Sequence, residues 1–139
     1  MIYRNISRND FSQFKELINS KFSYDHFCSF LKNILNENHI IIVLEMNNNI
    51  IGSGTILIEE KLTYGGCKMG HLENIIINKK YRGKGYGEKL IKELLRICKE
   101  KKCYRVDLNC NKELEKFYEK NNMNFESISM NIIFKENFN

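Results

Sequence analysis

The chain contains no proline and no tryptophan, and only 8 of its 139 residues are glycine. With no Pro-rich linker, repeat or low-complexity segment to divide it, the expectation is one domain over residues 1–139. No apolar run approaches the length of a membrane-spanning helix, and the first residues carry no signal-peptide core. A soluble, cytoplasmic protein is therefore expected. The 5 cysteines (Cys28, Cys67, Cys98, Cys103 and Cys110) show no Cys-x-x-Cys spacing and make no zinc pattern with His26, His39 and His71. They read as reduced thiols, with no metal. Basic residues exceed acidic ones, 22 to 17, but no basic run gathers them. Nucleic-acid binding is not expected, although the surface suits anionic ligands.

Apolar periodicity predicts the order β-α-α-β-β-β-α-β-α-β, an α/β (α+β) fold with a mixed, mostly antiparallel central sheet flanked by helices. Residues 2–6 alternate as a strand. Asp10 is placed to cap a helix carrying Phe11, Phe14, Leu17 and Ile18. Ser23 starts a second, with Phe27, Phe30, Leu31, Ile34 and Leu35 on one face. Asn47-Asn48-Asn49 reads as a hairpin turn between the runs 39–46 and 50–59. A strand over 70–78 feeds a glycine turn, and Leu90, Leu94, Leu95 and Ile97 stripe the helix after it. A short strand over 104–110, a helix over 112–122 with Leu114, Phe117 and Tyr118 inward, and an alternating closing strand over 125–134 complete the order.

The densest signal is Ile75-Ile76-Ile77-Asn78-Lys79-Lys80-Tyr81-Arg82-Gly83-Lys84-Gly85-Tyr86-Gly87. A β-branched run enters a basic, glycine-rich turn, and an amphipathic helix leaves it. That order aims unpaired N–H groups and the positive end of a helix dipole at an anion. Gly83, Gly85 and Gly87 let the backbone approach a phosphate, and Arg82 and Lys84 add positive charge. A P-loop is excluded, because Gly83-Lys84 is followed by Gly85 rather than Ser or Thr. A dinucleotide fingerprint is one residue short. Asp107 does lie where its ribose-binding acid would be sought, but the hairpins before the turn leave no room for repeated βαβ units.

Arg82, Gly85 and Gly87 also form Arg-x-x-Gly-x-Gly, which resembles the pyrophosphate-binding motif of the GNAT N-acetyltransferases, users of acetyl-CoA. Phe117-Tyr118-Glu119-Lys120 resembles the Phe-Tyr-x-Lys helix that lies beside the thioester in that superfamily. Gly54-Thr55-Ile56-Leu57-Ile58-Glu59-Glu60-Lys61, Gly70-His71-Leu72-Glu73-Asn74-Ile75 and Lys102-Cys103-Tyr104-Arg105-Val106-Asp107-Leu108-Asn109-Cys110 are similar, in the same order, to its glucosamine 6-phosphate N-acetyltransferase branch. The resemblance implies acetyl transfer from acetyl-CoA to the 2-amino group of glucosamine 6-phosphate. The transfer would occur by direct attack in a ternary complex, as a step towards UDP-N-acetylglucosamine, in an intertwined homodimer.

Matched position by position, it implies that Lys61, Leu62, Tyr64, Glu73, Asn74, Tyr104, Arg105 and Asn109 meet the sugar phosphate. The backbone of Ile75, Ile76 and Ile77 would meet the coenzyme. Its pyrophosphate would lie on Arg82, Gly83, Lys84, Gly85, Tyr86, Gly87 and Glu88, with Tyr118 and Lys120 near the thiol end. Three positions depart from the pattern. Asn109, and often Asn74, stand where members carry an acid, and Ile133 where they tend to carry an arginine for the sugar phosphate. Lys135 or Arg105 is the candidate substitute.

Such a reaction needs an unprotonated amine, a polarised carbonyl and a proton donor for the thiolate. Tyr118, Glu73 and Asn109 are the catalytic candidates. Tyr118 would donate, Glu73 would act as base directly or through water, and Asn109, which cannot take a proton, would orient. N–H groups freed where the strand splays at 75–78 would bind the carbonyl oxygen. Cys110 has no histidine beside it and reads as a core thiol. Taken singly, Tyr118 is an ordinary core aromatic, Glu73 a solvated strand residue, and Lys61 and Arg105 surface charges. Their order around residues 82–87 lifts them above those readings. Two other functions stay open: the same fold acting on another small amine or a protein amine, and a non-catalytic coenzyme-sensing module.

Overall fold

The computed structural model describes residues 1–134, which divide into two units, one spanning Met1–Leu108 and one beginning at Asn109. The first unit carries one sheet with strands in chain order: β1 (Ile2–Asn5), β2 (His39–Met46), β3 (Asn49–Lys61), β4 (Cys67–Ile77) and β5 (Arg105–Leu108). The first three pairings are antiparallel and β4–β5 is parallel, so the sheet is mixed and mostly antiparallel. The β2–β3 turn is tight. Met46 faces Asn49, leaving Asn47 and Asn48 at φ 51° and 64°. Two left-handed residues make a turn whose twist matches the sheet, and Asn tolerates that backbone better than most side chains.

Alternation along the strands assigns the two faces. Ile41 and Val43 pack with Phe14 of α1 (Phe11–Ile18) and Phe27 of α2 (Tyr24–Asn33). The opposite face receives α3 (Tyr86–Glu100). A Cβ on Gly54 would lie 2.6 Å from Leu94 Cδ1, and one on Gly70 would lie 3.0 Å from Cys98 Sγ. These glycines are small because a helix lies on them. The buried line of α3 is Leu90, Ile91, Leu94 and Cys98, so Ile91 and Cys98 take the places predicted for Leu95 and Ile97, which are half-buried.

Two helix starts separate expectation from structure. Ser23 does cap α2: its Oγ accepts the His26 N–H at 3.0 Å. Asp10 precedes α1 but makes no such bond to that helix. Its carboxylate accepts both Arg4 guanidinium nitrogens at 2.7 Å and the Ser7 N–H at 2.7 Å. Burial opposes its ionisation, but Arg4 and Ser7 outweigh burial and hold its pKa below the ordinary value. The second helix ends at Asn33, which leaves Ile34 exposed instead of on the inner face.

The second unit carries α4 (Glu115–Lys120) after a 3₁₀ turn at Lys112–Leu114. Tyr118 is buried, whereas Leu114 is exposed, contrary to expectation. The tighter turn breaks the i, i+4 phase that would have brought the two together. The predicted strand over 125–134 does not form. Phe125, Ile128, Met130, Ile132, Ile133 and Phe134 are all exposed, and none lies in a strand ladder. Alternation makes a strand only where an edge pairs with it. Lys135 lies outside the described residues. Among those residues, no helix is long and apolar enough to cross a membrane.

Candidate active site

β3 and β4 stay in register from Lys61 opposite Cys67 to Thr55 opposite Glu73, then slip so that Ser53 faces Ile76. Gly54 therefore faces both Asn74 and Ile75, and Asn74 has φ 50°. This is a β-bulge, which takes one residue's polar groups out of the ladder and re-aims the neighbouring side chains. On the other edge, β5 pairs with β4 only from Met69 to Leu72. Glu73 and Asn74, both exposed, thus follow directly on the point where β4 parts from β5. A cleft of about 1040 Å³ opens beside them. Its floor is Ser53, Thr55, Leu57, Glu73, Asn74, Ile75 and Ile76. Its walls include Phe22, Ser23, His26, Phe27, Phe30 and Leu31.

β4 runs on through a 3₁₀ turn, Lys79–Tyr81, into the glycine turn and α3. Arg82 Nε donates to Ile77 O at 2.9 Å, which ties the turn back to the strand end. Gly83 and Gly85 have φ 76° and 85°, and a Cβ on either would meet nothing within 4 Å. Here glycine is required by the backbone and faces open space. Gly85 starts α3 without a side-chain cap, so the first-turn amides keep their donors for an external acceptor. Lys84 Nζ lies 5.9 Å from the Tyr81 ring centre, and Glu88 pairs with Lys92 at 3.1 Å. Exposed uncapped amides, two side-chain-free positions and neighbouring cations suit a pyrophosphate.

The expected sugar residues of this unit flank the β3–β4 hairpin. Tyr64 and Tyr104 stack at 5.3 Å, both exposed, as is Leu62. Lys61 Nζ lies 3.8 Å from Glu59, and Arg105 opens β5. Between them is a cluster whose members lie in the three similar segments but whose mutual contact no motif marked: His71 Nδ1 is 2.6 Å from Asp107 Oδ1, and His71 Nε2 is 2.9 Å from Glu59 Oε1. Burial opposes a charge on His71, but the two carboxylates outweigh it and raise its pKa. Strand neighbours that are distant in sequence form this group, so spacing carried no signal of it. The same holds for Ser53, Thr55, Phe22 and His26 around the cleft. Asn109, Tyr118 and Lys120 belong to the second unit, where Asn109 and Lys120 are exposed and Tyr118 lies edge-on to Phe117 at 5.0 Å. Burial, then Cys110, pushes the Tyr118 phenol above its ordinary pKa.

The Acetyltransferase (GNAT) family model matches residues 4–123. The chain belongs to the GNAT acetyltransferase family. Members of that family use acetyl-CoA. This acetyltransferase is 36% identical over 100 residues to the glucosamine 6-phosphate N-acetyltransferase of Arabidopsis thaliana, covering 70% of this chain and 67% of that one. It is 30% identical over 122 residues to glucosamine 6-phosphate N-acetyltransferase 1 of Dictyostelium discoideum, covering 85% and 78%. The crystal structure of the Arabidopsis enzyme superposes with a TM-score of 0.91 at 30% identity, over 96% of this chain and 97% of that one. The match to the relative named probable glucosamine 6-phosphate N-acetyltransferase 2, of Oryza sativa subsp. japonica, spans 63% of that chain's length. The acetyltransferase thus has the fold and family implied by Arg82, Gly85 and Gly87.

Proposed function

We propose that this acetyltransferase moves the acetyl group of acetyl-CoA to the amine of D-glucosamine 6-phosphate, giving N-acetylglucosamine 6-phosphate and CoA by direct attack in a ternary complex. The product would serve UDP-N-acetylglucosamine synthesis in the cytoplasm. The observation that carries this reading is the β4 bulge. It sets an exposed carboxylate, Glu73, beside displaced backbone at Asn74 and Ile75, on the strand that runs into the glycine turn. The names of the relatives supply the acceptor.

Acetyl-CoA supplies the activated acyl group. Amides of the glycine turn and the first turn of α3 hold its pyrophosphate, with Arg82 and Lys84 adding charge, and backbone of residues 75–77 lines its pantetheine arm. Backbone N–H groups at the bulge donate to the carbonyl oxygen as charge grows on it. Glu73 takes the amine proton, directly or through water, and the Asn109 side-chain carbonyl orients the amine. The Tyr118 phenol, held above its ordinary pKa by burial and then Cys110, is the proposed hydrogen-bond donor to the departing sulfur, with Lys120 nearby in sequence. Lys61 and Arg105 supply positive charge for the sugar phosphate, with Leu62, Tyr64 and Tyr104 around the sugar. Holding amine and thioester together is the main source of rate. The protein acts as a homodimer, and the exposed Ile128, Met130, Ile132 and Phe134 offer an apolar surface to a second copy. Light scattering at micromolar concentration tests that point.

A second reading keeps the fold and donor but changes the acceptor. The cleft walls at Phe22, Phe27, Phe30 and Leu31 are apolar, which favours an amine with a hydrocarbon part. Turnover of acetyl-CoA with glucosamine 6-phosphate, glucosamine and spermidine separates the readings. The first predicts a clear preference for the sugar phosphate, and no acceleration by it overturns that reading. Binding of acetyl-CoA without turnover of any amine would indicate a coenzyme sensor.

A further inference from the structure

We propose that His71 is a positioning residue: bridging Glu59 and Asp107, its imidazolium holds β5 against β4 up to the point where the two strands part, and so shapes the β4 edge that receives acetyl-CoA. The inference rests on the acetyl-CoA reading above. His71 and Asp107 are register partners, and the next pair, Leu72 with Leu108, is the last of the β4–β5 ladder. That ladder is parallel and four pairs long, a weak attachment by backbone alone.

The ring is bonded on both sides, at 2.6 Å to Asp107 and 2.9 Å to Glu59. Ionised carboxylates only accept hydrogen bonds, so both contacts are satisfied only when both ring nitrogens carry protons. A neutral ring has one N–H and turns a lone pair towards one of the carboxylates at this same distance. Protonation of His71 therefore ties three adjacent strands together, and deprotonation releases one of them. Other charges on the same face are Lys61, 3.8 Å from Glu59, and, by strand alternation, Arg105 and Glu73. Glu73 is two residues along β4 from His71. Loosening at His71 is thus delivered along the strand to the candidate base and to the bulge after it. The raised pKa of His71, held up by both carboxylates against burial, places the change on the alkaline side of an ordinary histidine.

The test is calorimetric binding of acetyl-CoA, with no acceptor present, across about pH 6 to 9. Wild type, His71→Gln and Glu59→Gln are compared, and the imidazole of His71 is titrated by NMR in wild type and Glu59→Gln. The wild-type dissociation constant should rise at least about threefold across that range, with a midpoint at the His71 titration. His71→Gln should bind more weakly at the acid end and lose that dependence. Glu59 is half-exposed, so its variant retains the fold. Removing its charge should lower the His71 midpoint and carry the binding midpoint with it. The proposal is overturned if His71→Gln keeps the wild-type pH dependence, or if Glu59→Gln moves the imidazole midpoint without moving the binding midpoint. No binding of acetyl-CoA by wild type at any pH would instead overturn the acetyl-CoA reading, and this inference with it.

Discussion

Replacing Gly85 separates the folding role of the glycine turn from its binding role. At φ 85° and ψ 4° the residue sits in left-handed backbone, and a Cβ there meets nothing within 4 Å. In Gly85→Ala the only folding penalty is backbone strain of about 1 kcal/mol. For a chain of 139 residues that lowers Tm by about 3–5 °C. In Gly85→Asn the strain is smaller, because Asn tolerates this backbone, but the side chain is larger. Stability should therefore fall in the order Gly, Asn, Ala. Affinity should fall in a different order, Gly, Ala, Asn, because each added atom enters the space from which a pyrophosphate reaches the amides of α3. Loss of one or two charge-assisted hydrogen bonds predicts about a 10- to 100-fold weaker dissociation constant for Ala, and more for Asn. Scanning calorimetry and titration with acetyl-CoA on the same three samples give both orders. If affinity follows the Tm order, or does not change, the glycine turn is not the pyrophosphate site.

Asp10→Asn should lower unfolding free energy by about 2 kcal/mol in urea, because a buried acceptor for both Arg4 nitrogens loses its charge. The folded pKa of Asp10 lies below its ordinary 3.8. Its contribution is present above 3.8 and disappears as pH falls through the folded value, so the variant's deficit should vanish in acid, as acid unfolding curves would report. Gly54→Ala places a Cβ 2.6 Å from Leu94 Cδ1 and should cost about 1–3 kcal/mol. Combining it with Leu94→Val should recover part of that loss, and additive losses would refute the contact. Tyr118→Phe should slow acetyl transfer by about 100-fold or more with acetyl-CoA affinity nearly retained, and unchanged turnover removes Tyr118 from the reaction.

The elements most legible in the sequence were those whose signal is local. The β2 strand and its Asn-Asn turn, the Ser23 cap, and the strand-turn-helix around Gly83 and Gly85 each depend on neighbours a few residues apart. The errors fall where a local pattern is overridden or left without a partner. Asp10 has a capping residue's chemistry but meets Arg4, which arrives through β1. The alternation from Phe125 to Phe134 has a strand's pattern but finds no edge among the described strands of its chain. Leu114 lost its predicted place to a 3₁₀ turn that its periodicity did not reveal. Of the candidate site, the glycine turn and Glu73 were readable, while the bulge that exposes Glu73 and Asn74 was not.

By itself the sequence determined that a glycine turn and an uncapped helix start follow a β-branched strand, because glycine spacing and the helix start are properties of consecutive residues. It also carried the family, through the order of its motifs. Only the tertiary structure decided where β4 slips register against β3, where it parts from β5, and that His71 meets both Glu59 and Asp107. Those are relations between strands, and they depend on which edges pair and for how long. A one-residue slip at Gly54 changes no composition, periodicity or motif, yet it sets the backbone on which the proposed chemistry rests.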